Sequence, residues 1–465
     1  MSSFFRTPFS ALRTAIGRGP AMVQDRARPF SLAFDGLWIP RAGSAYFTGW
    51  MWDPSDSLGD LTLVVPGEGP EIPLKGRMMP APRPDVMEHL NREFQELTSG
   101  RLGFVCCVSH PSIELTPESF QLRARFTDGS ERAVSRRVTE PETGFSVSRL
   151  LAIVAEGCDA NDQKTFALME EAMRSMSASR SGKSRIQKAV SFGVPPSKPA
   201  VSVIVPLFRE VALFRAQVAS LCGDPYRKSC EFIFVVDSPE TAAEFERAAY
   251  ELYTLHDFSM KVVILEQNYG FASANNLGVE HAKGDHLLFL NSDVFPIRDG
   301  WLREMRDFYD AQDSIGPLGA KLLYEDDTLQ HAGMYFAKES PPGKLWENRH
   351  YFRGLPRDHP PASGTRRAPA VTGACLLMRR DRFEVLEGWD ESYFLNFEDS
   401  DLCIRAQRKG LDSWYLGSTE LRHLEGRSLE LVERTHGNYC ACWLQTMRWD
   451  SEIREIMGRF ESDPT

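Results

Sequence analysis

Hydrophobic residues along this chain keep three different rhythms, and the changes between them divide it. Between residues 29 and 140, short runs rich in aromatic and β-branched residues recur: AYFTGWMWD, DLTLVV, LGFVCCV and FQLRARFTDGSERAV. In the last of these, Leu122, Ala124 and Phe126 alternate with Arg123 and Arg125, the period of two expected of a strand buried on one face. Asp128-Gly129 then supplies a hairpin turn. These runs predict an all-β, sandwich-like domain over 29–140. From there the spacing becomes helical, with Phe166, Met169, Met173 and Met176, ahead of the small, basic stretch SASRSGKSRIQK, so that residues 141–198 read as a helical linker. At residue 199 the alternation stops: AVSVIVPLF suits a strand buried on both faces of a parallel sheet. EFIFVVDS, KVVILEQN and HLLFLNSD follow, and helix formers such as AQVASLC and TAAEFERAAYELYTL occupy the intervals. Strand-helix alternation predicts a doubly wound, Rossmann-like α/β domain over 199–465, with further helix after Ser428. Residues 1–28 read as a flexible tail.

Composition narrows the function classes. A net charge of −10 over 465 residues argues against a general nucleic-acid binder, because polyanion affinity needs basic surface. No run reaches the roughly 18 apolar residues of a membrane span. The first residues lack the apolar core of a secretory signal. They carry Arg6, Arg13 and Arg18 with no acid before Asp25; a frayed tail is the plainer reading and light peripheral docking on an acidic membrane surface the sharper one. Nine cysteines without a C-x-x-C pair, several inside apolar runs, read as buried thiols of a reduced, cytoplasmic protein. Trp50 and Trp52 are candidates for stacking on sugar rings, although tryptophan in a small β domain is more commonly core.

The candidate chemistry lies at the strand ends. VSVIVP ends at Pro206 with Glu210 shortly after, FIFVVD ends at Asp237, VVILEQN at Asn268, and HLLFL runs into Asn291, Ser292 and Asp293. One acid after a strand is ordinarily a turn or helix cap. A doubly wound sheet, however, gathers its ligands at the carboxyl ends of its strands, and four polar ends on one edge make a crevice.

The order of these segments resembles glycosyltransferase family 2, inverting nucleotide-diphospho-sugar transferases of GT-A fold. The matching stretches are VSVIVPLFRE, VVDS, NYGFASANNLGVEHAKGDHLLFLNSDVFP, VTGACLLMRRDRFEVLEGWDESYFLNFEDSDLCIRAQRKG and LRHLEGRS, from about 199 to 428. The resemblance implies that Asn291, Ser292 and Asp293 stand where the family holds a divalent cation, Mn²⁺ or Mg²⁺, against the donor diphosphate. Asn291 departs from the first acid of that motif, which leaves Asp293, with His423, as the implied metal ligands. Asp399 matches the family's catalytic base. Pro206, Glu210, Asp237, Asn268 and Gly373 match donor-side positions, and Trp389, Asp390 and Glu391 match the segment near the acceptor. Each has a plainer structural reading as turn, cap or packing residue, and Asp401 and Arg405 read as structural partners. The proline- and glycine-rich stretch 338–369 is long enough to be a loop that closes on substrate.

These expectations converge on transfer of a sugar from a nucleotide-diphospho-sugar to a saccharide or lipid-linked saccharide acceptor, in cell-surface polysaccharide synthesis at the cytoplasmic side. Asn291 leaves open a non-catalytic carbohydrate-binding or scaffold protein. A sugar nucleotidyltransferase is disfavoured, since no glycine-rich phosphate loop follows the first strand.

Overall fold

The computed structural model describes residues 21–25, 30–41, 43–67, 69–81, 86, 102–114, 116–138, 185–338, 345–393, 396–424 and 431–461. The chain divides into two units, Met1–Ser181 and Gly182–Thr465.

Among the described residues the first unit holds nine strands. One antiparallel sheet is ordered β1 (Ala21–Asp25), β2 (Phe30–Arg41), β3 (Ser44–Trp52), β7 (Gly103–Ser109), β6 (Met78–Ala81). The other is ordered β5 (Glu71–Pro73), β4 (Leu58–Val64), β8 (Ser119–Phe126), β9 (Glu131–Arg137). Phe30, Phe34 and Phe47 from the first share one buried core with Leu61, Phe120 and Phe126 from the second, so the unit is a two-sheet sandwich. In β8 the predicted alternation is realised: Phe120, Leu122, Ala124 and Phe126 are buried while Arg125 reaches Glu131 across the hairpin at 2.7 Å. Gly129, at φ +81°, makes the turn. Part of the predicted tail is strand, because β1 pairs with β2 from Ala21↔Phe34 to Asp25↔Phe30. Trp50 and Trp52 are only 4% and 7% exposed and pack with Ala33 and Val86, which removes them as sugar-stacking platforms.

The second unit is built on a mixed sheet ordered β10 (Ile186–Phe192), β13 (Met260–Leu265), β12 (Cys230–Val236), β11 (Val201–Leu207), β14 (His286–Leu290), β21 (Cys375–Arg379), β16 (Ile315–Leu323), β22 (Asp412–His423), β15 (Val294–Pro296). β17 (Leu329–His331) adds to β16, and β20 (Arg366–Arg367) to β22. A separate hairpin joins β18 (Met334–Ala337) to β19 (Glu347–His350). The helices are α1 (Val211–Leu221), α2 (Ala242–His256), α3 (Phe271–Glu280), α4 (Trp301–Asp310), α5 (Arg380–Val385), α6 (Glu398–Arg408) and α7 (Leu431–Glu461), with a single turn at Pro360–Ser363.

Strands β11 to β14 run parallel in the order β13-β12-β11-β14. The chain works outward from β11 to β13, then returns to the other side of β11. That reversal makes the carboxyl ends of β11 and β14 a topological switch point, where α/β sheets open a crevice. All residues of β12 and β14 are buried, as expected of strands covered on both faces.

Two expectations change here. Ile186–Phe192, placed by pattern in the helical linker, is an edge strand antiparallel to β13. Its largely exposed side chains carry no hydrophobic signal, and its partner lies some 70 residues ahead, from Ile186↔Leu265 to Phe192↔Met260. The helical part of the linker lies outside the described residues. Much of the stretch read as a closing loop is built into the fold: β19 pairs with β18, and the Trp346 backbone donates to Thr446 on α7 at 2.7 Å; residues 339–344 lie outside the described residues.

Candidate active site

The Asn291-Ser292-Asp293 segment is a tight turn at the end of β14. Val294 N donates to Asn291 O at 3.1 Å, and Asn291 N to Ala374 O at 2.9 Å. Gln217, fully buried on α1, donates its Nε2 to the carbonyls of Asn291 (2.6 Å) and Val294 (3.0 Å). The turn is thereby held from both sides, and Asn291 keeps a buried Oδ1 with no hydrogen-bond partner among the described residues. Beside it Asp293 is 6% exposed. Antiparallel pairing of Val294 with His423 brings the imidazole next to this carboxylate, Nε2 to Oδ1 at 3.2 Å.

Asp399 reaches the same ledge by another route. It lies in the first turn of α6 with Glu398 and Asp401, where the helix dipole favours negative charge. Asn396 and Phe397, at φ +63° and +72°, turn the chain into the helix, a left-handed pair that is costly for phenylalanine. The Asp399 carboxylate accepts from Gly373 N at 2.9 Å and Ser400 N at 2.8 Å, and from the Thr372 hydroxyl. Gly373 precedes Ala374, whose carbonyl holds Asn291. Hence the N-S-D turn and Asp399 flank one backbone segment, Thr372–Ala374. A Cβ on Gly373 would stand 3.4 Å from Asp399, Phe271 and Trp389 alike, so glycine leaves the space between them open.

Burial raises the Asp399 pKa above the usual aspartate range, against the pull of those three donors. Glu398 is pushed up to about 8, first by burial and then by the Asp399 charge, and its Oε2 has no partner among the described residues. Asp401 is buried against Arg405 (2.7 Å) and Trp449 Nε1 (2.8 Å), in keeping with the structural role read for it.

The acceptor-side residues turn out differently. Trp389 is 2% exposed, edge-on to Phe271, Phe289 and Phe383. It is core and offers no open face to a sugar, because aromatic rings from three separate elements, α3, β14 and α5, surround it. Asp390 accepts from Ser392 N at 2.8 Å and pairs with Arg448 of α7 at 2.7 Å. Despite its burial, Arg448 and Ser392 hold its pKa low. Glu391 receives a two-point grip from Arg185 (2.7 and 3.2 Å) and a bond from Asn276 (3.1 Å). These partners likewise outweigh burial and depress its pKa. Both carboxylates already have cationic partners, which argues against their waiting for sugar hydroxyls.

On the donor side Asp237 directly follows β12 and accepts from Tyr269 N (2.7 Å) and Gly270 N (2.8 Å), so it shapes the loop after β13. Asn268 is exposed, and its Oδ1 accepts from the same Gly270 amide at 3.0 Å. Pro206 lies in β11 and Glu210 is exposed just before α1. Ser292 is partly exposed in the N-S-D turn.

Sequence reasoning missed Gln217, Asn276 and Gln330, whose Oε1 lies 2.7 Å from His423 Nδ1. Gln217 carries a faint signal, one amide on a helix face shared with Phe214, Val218 and Leu221. Asn276 clamps Trp389 through both its O and its N, a contact between distant segments that no local pattern announces.

A parallel core with its switch point at β11 and β14, extended by antiparallel strands and ending in polar turns, defines a GT-A-type nucleotide-sugar transferase fold. The second unit carries a glycosyl transferase family 2 domain: residues 202–385 match the model described as Glycosyl transferase family 2. The O-antigen biosynthesis protein RfbC of Myxococcus xanthus is 30% identical over 234 residues, half of this chain but 18% of that protein. An N-acetylglucosaminyl-diphospho-decaprenol L-rhamnosyltransferase of Mycobacterium tuberculosis is 41% identical over 58 residues, 12% of this chain and 19% of that protein. The chain thus spans about a fifth of the length of these relatives. Among solved structures, GalNAc-T7 with UDP, GalNAc and Mn²⁺ aligns over 50% of this chain and 44% of its own, at TM-score 0.40 and 17% identity.

Proposed function

We propose that this protein is an inverting glycosyltransferase that moves a sugar from a nucleotide-diphospho-sugar to a hydroxyl of a saccharide or lipid-linked saccharide, in cell-surface polysaccharide or O-antigen synthesis. The observation that carries this reading is the shared ledge: the N-S-D turn and Asp399 bracket Thr372–Ala374, beside the switch point of a family 2 domain.

The acceptor hydroxyl gives its proton to Asp399 while its oxygen attacks the anomeric carbon, and the bond from that carbon to the nucleoside diphosphate breaks on the opposite side. Inversion needs one base and no enzyme nucleophile. The raised pKa keeps Asp399 more basic than an ordinary aspartate, and the Gly373 and Ser400 amides fix its direction.

The residues present also fit a divalent cation. Asn291 Oδ1 is buried and has no partner among the described residues, and an imidazole nitrogen faces a carboxylate oxygen across 3.2 Å. Asp293, His423 and the Asn291 oxygen would hold Mn²⁺ or Mg²⁺. No three His, Cys, Asp or Glu side chains converge as a metal-binding group among the described residues, so diphosphate oxygens and water would complete the shell, as suits hard cations. Once bound, the cation supplies Lewis-acid relief of the charge on the departing diphosphate. We place the reaction at the cytoplasmic side. Among the described residues no helix is long and apolar enough to cross a membrane.

Incubation with a panel of nucleotide sugars and Mn²⁺ tests the proposal. A transferase releases nucleoside diphosphate slowly by hydrolysis, and faster with a matched saccharide acceptor. Glycan binding with no donor turnover across the panel would establish the scaffold reading instead.

A further inference from the structure

The His423 imidazole that faces Asp293 is itself gripped from behind. Gln330 Oε1 lies 2.7 Å from His423 Nδ1, and Gln330 Nε2 donates to the His423 carbonyl at 3.4 Å. The second contact orients the amide, since reversing it would set a carbonyl oxygen against a carbonyl oxygen. With Oε1 the atom facing the ring, Nδ1 must carry a hydrogen. In a neutral imidazole the lone pair then sits on Nε2, the atom 3.2 Å from Asp293 Oδ1. Two acceptors left face to face repel unless a positive charge lies between or beside them.

The backbone shows how Gln330 comes to be there. On β17, Leu329 pairs with Leu323 and His331 with Leu322, a register irregularity that leaves Gln330 as the extra residue opposite consecutive positions of β16. Bulges of this kind re-aim a side chain and are over-represented beside active sites. β22 lies on the far side of β16, with Leu323 opposite Arg422, so a side chain redirected along this edge meets the end of β22, where His423 stands. Gln330 is only 4% exposed.

We propose that Gln330 is a positioning residue for the cation site: the β17 bulge aims its amide so that His423 is held as the Nδ1–H tautomer, with Nε2 free to bind a divalent cation together with Asp293. This rests on the metal-dependent transferase reading above, and its test separates the two. Nitrogen-15 NMR of the full chain, without added metal, at a pH where His423 is neutral, reads the tautomer, and electron paramagnetic resonance reads Mn²⁺ affinity. Parent protein should show the Nδ1–H form. Gln330→Met, close in volume but with neither donor nor acceptor, should mix the tautomers and weaken Mn²⁺ binding about 10–100-fold, with circular dichroism unchanged. Gln330→Glu retains an acceptor for Nδ1–H and should keep the tautomer, which covers the case in which the Met variant folds poorly. An unaltered tautomer in Gln330→Met, or loss of the Nδ1–H form in a folded Gln330→Glu, overturns the proposal. So does a shifted tautomer with parental Mn²⁺ affinity. If the parent binds no Mn²⁺ and turns over donors without it, the cation reading itself falls, and this role for Gln330 with it.

Discussion

Two groups of acids sit close together in the second unit and have opposite fates. Asp390 and Glu391 each meet an arginine, Arg448 and Arg185, and their pKa values lie below the usual range. Among the described residues Asp399 and Glu398 meet no cation as a principal influence, and burial drives both upward. The motif letters are equally acidic in the two segments. What differs is whether the fold brings a guanidinium to them. An acid with an arginine at 2.7 Å is stabilised as an anion and is a poor base and an occupied acceptor. One held by neutral amides in a buried setting keeps its basicity for another purpose.

The largest effect expected from breaking this contrast is catalytic. Asp399→Asn should lower transfer about 10²–10⁴-fold, the usual share of a general base, while nucleotide binding measured by calorimetry stays near parental. Transfer at the parental rate would move the base elsewhere. Glu391→Gln acts in the other compartment. It leaves the Arg185 guanidinium, only 15% exposed in its side chain, short of its counter-charge and should cost roughly 2 kcal/mol of stability. Turnover per folded molecule should hold, and a tenfold fall at unchanged stability would return Glu391 to the substrate.

A smaller and pH-dependent effect separates the raised acid from the lowered ones. Folding lifts Glu398 from 4.5 to about 8, so the native state binds its proton more tightly than the unfolded chain. Its contribution is therefore fully present below about 4.5 and is lost as pH rises through about 8. Urea midpoints should fall between pH 5 and 8.5 more steeply for the parent than for Glu398→Gln, and parallel curves would remove Glu398 from the pH response. Asp390→Asn should be the mildest change, about 1 kcal/mol, because the Asp390 side chain keeps 33% exposure and water screens the pair; it is read as a modest shift in urea midpoint with activity intact.

Much of the architecture was legible without coordinates. The apolar runs from Val201 onward located the parallel strands, since a strand covered on both faces needs unbroken hydrophobic sequence. The alternation in β8 located a half-buried strand for the complementary reason. Asn291, Asp293, Gly373, Asp399 and His423 were also picked out by motif, and the fold sets them around one ledge. The strand β10 escaped because an exposed edge needs no hydrophobic pattern. Trp389, Asp390 and Glu391 were misplaced because their environment is supplied from afar: Arg185 lies 206 residues before Glu391, and Arg448 lies 58 after Asp390. Hydrophobic period is a local property, set by which face of an element is buried, and so it is written along the chain. Whether a carboxylate is neutralised, and which nitrogen of an imidazole bears the proton, depends on groups that only chain crossing brings within 3 Å.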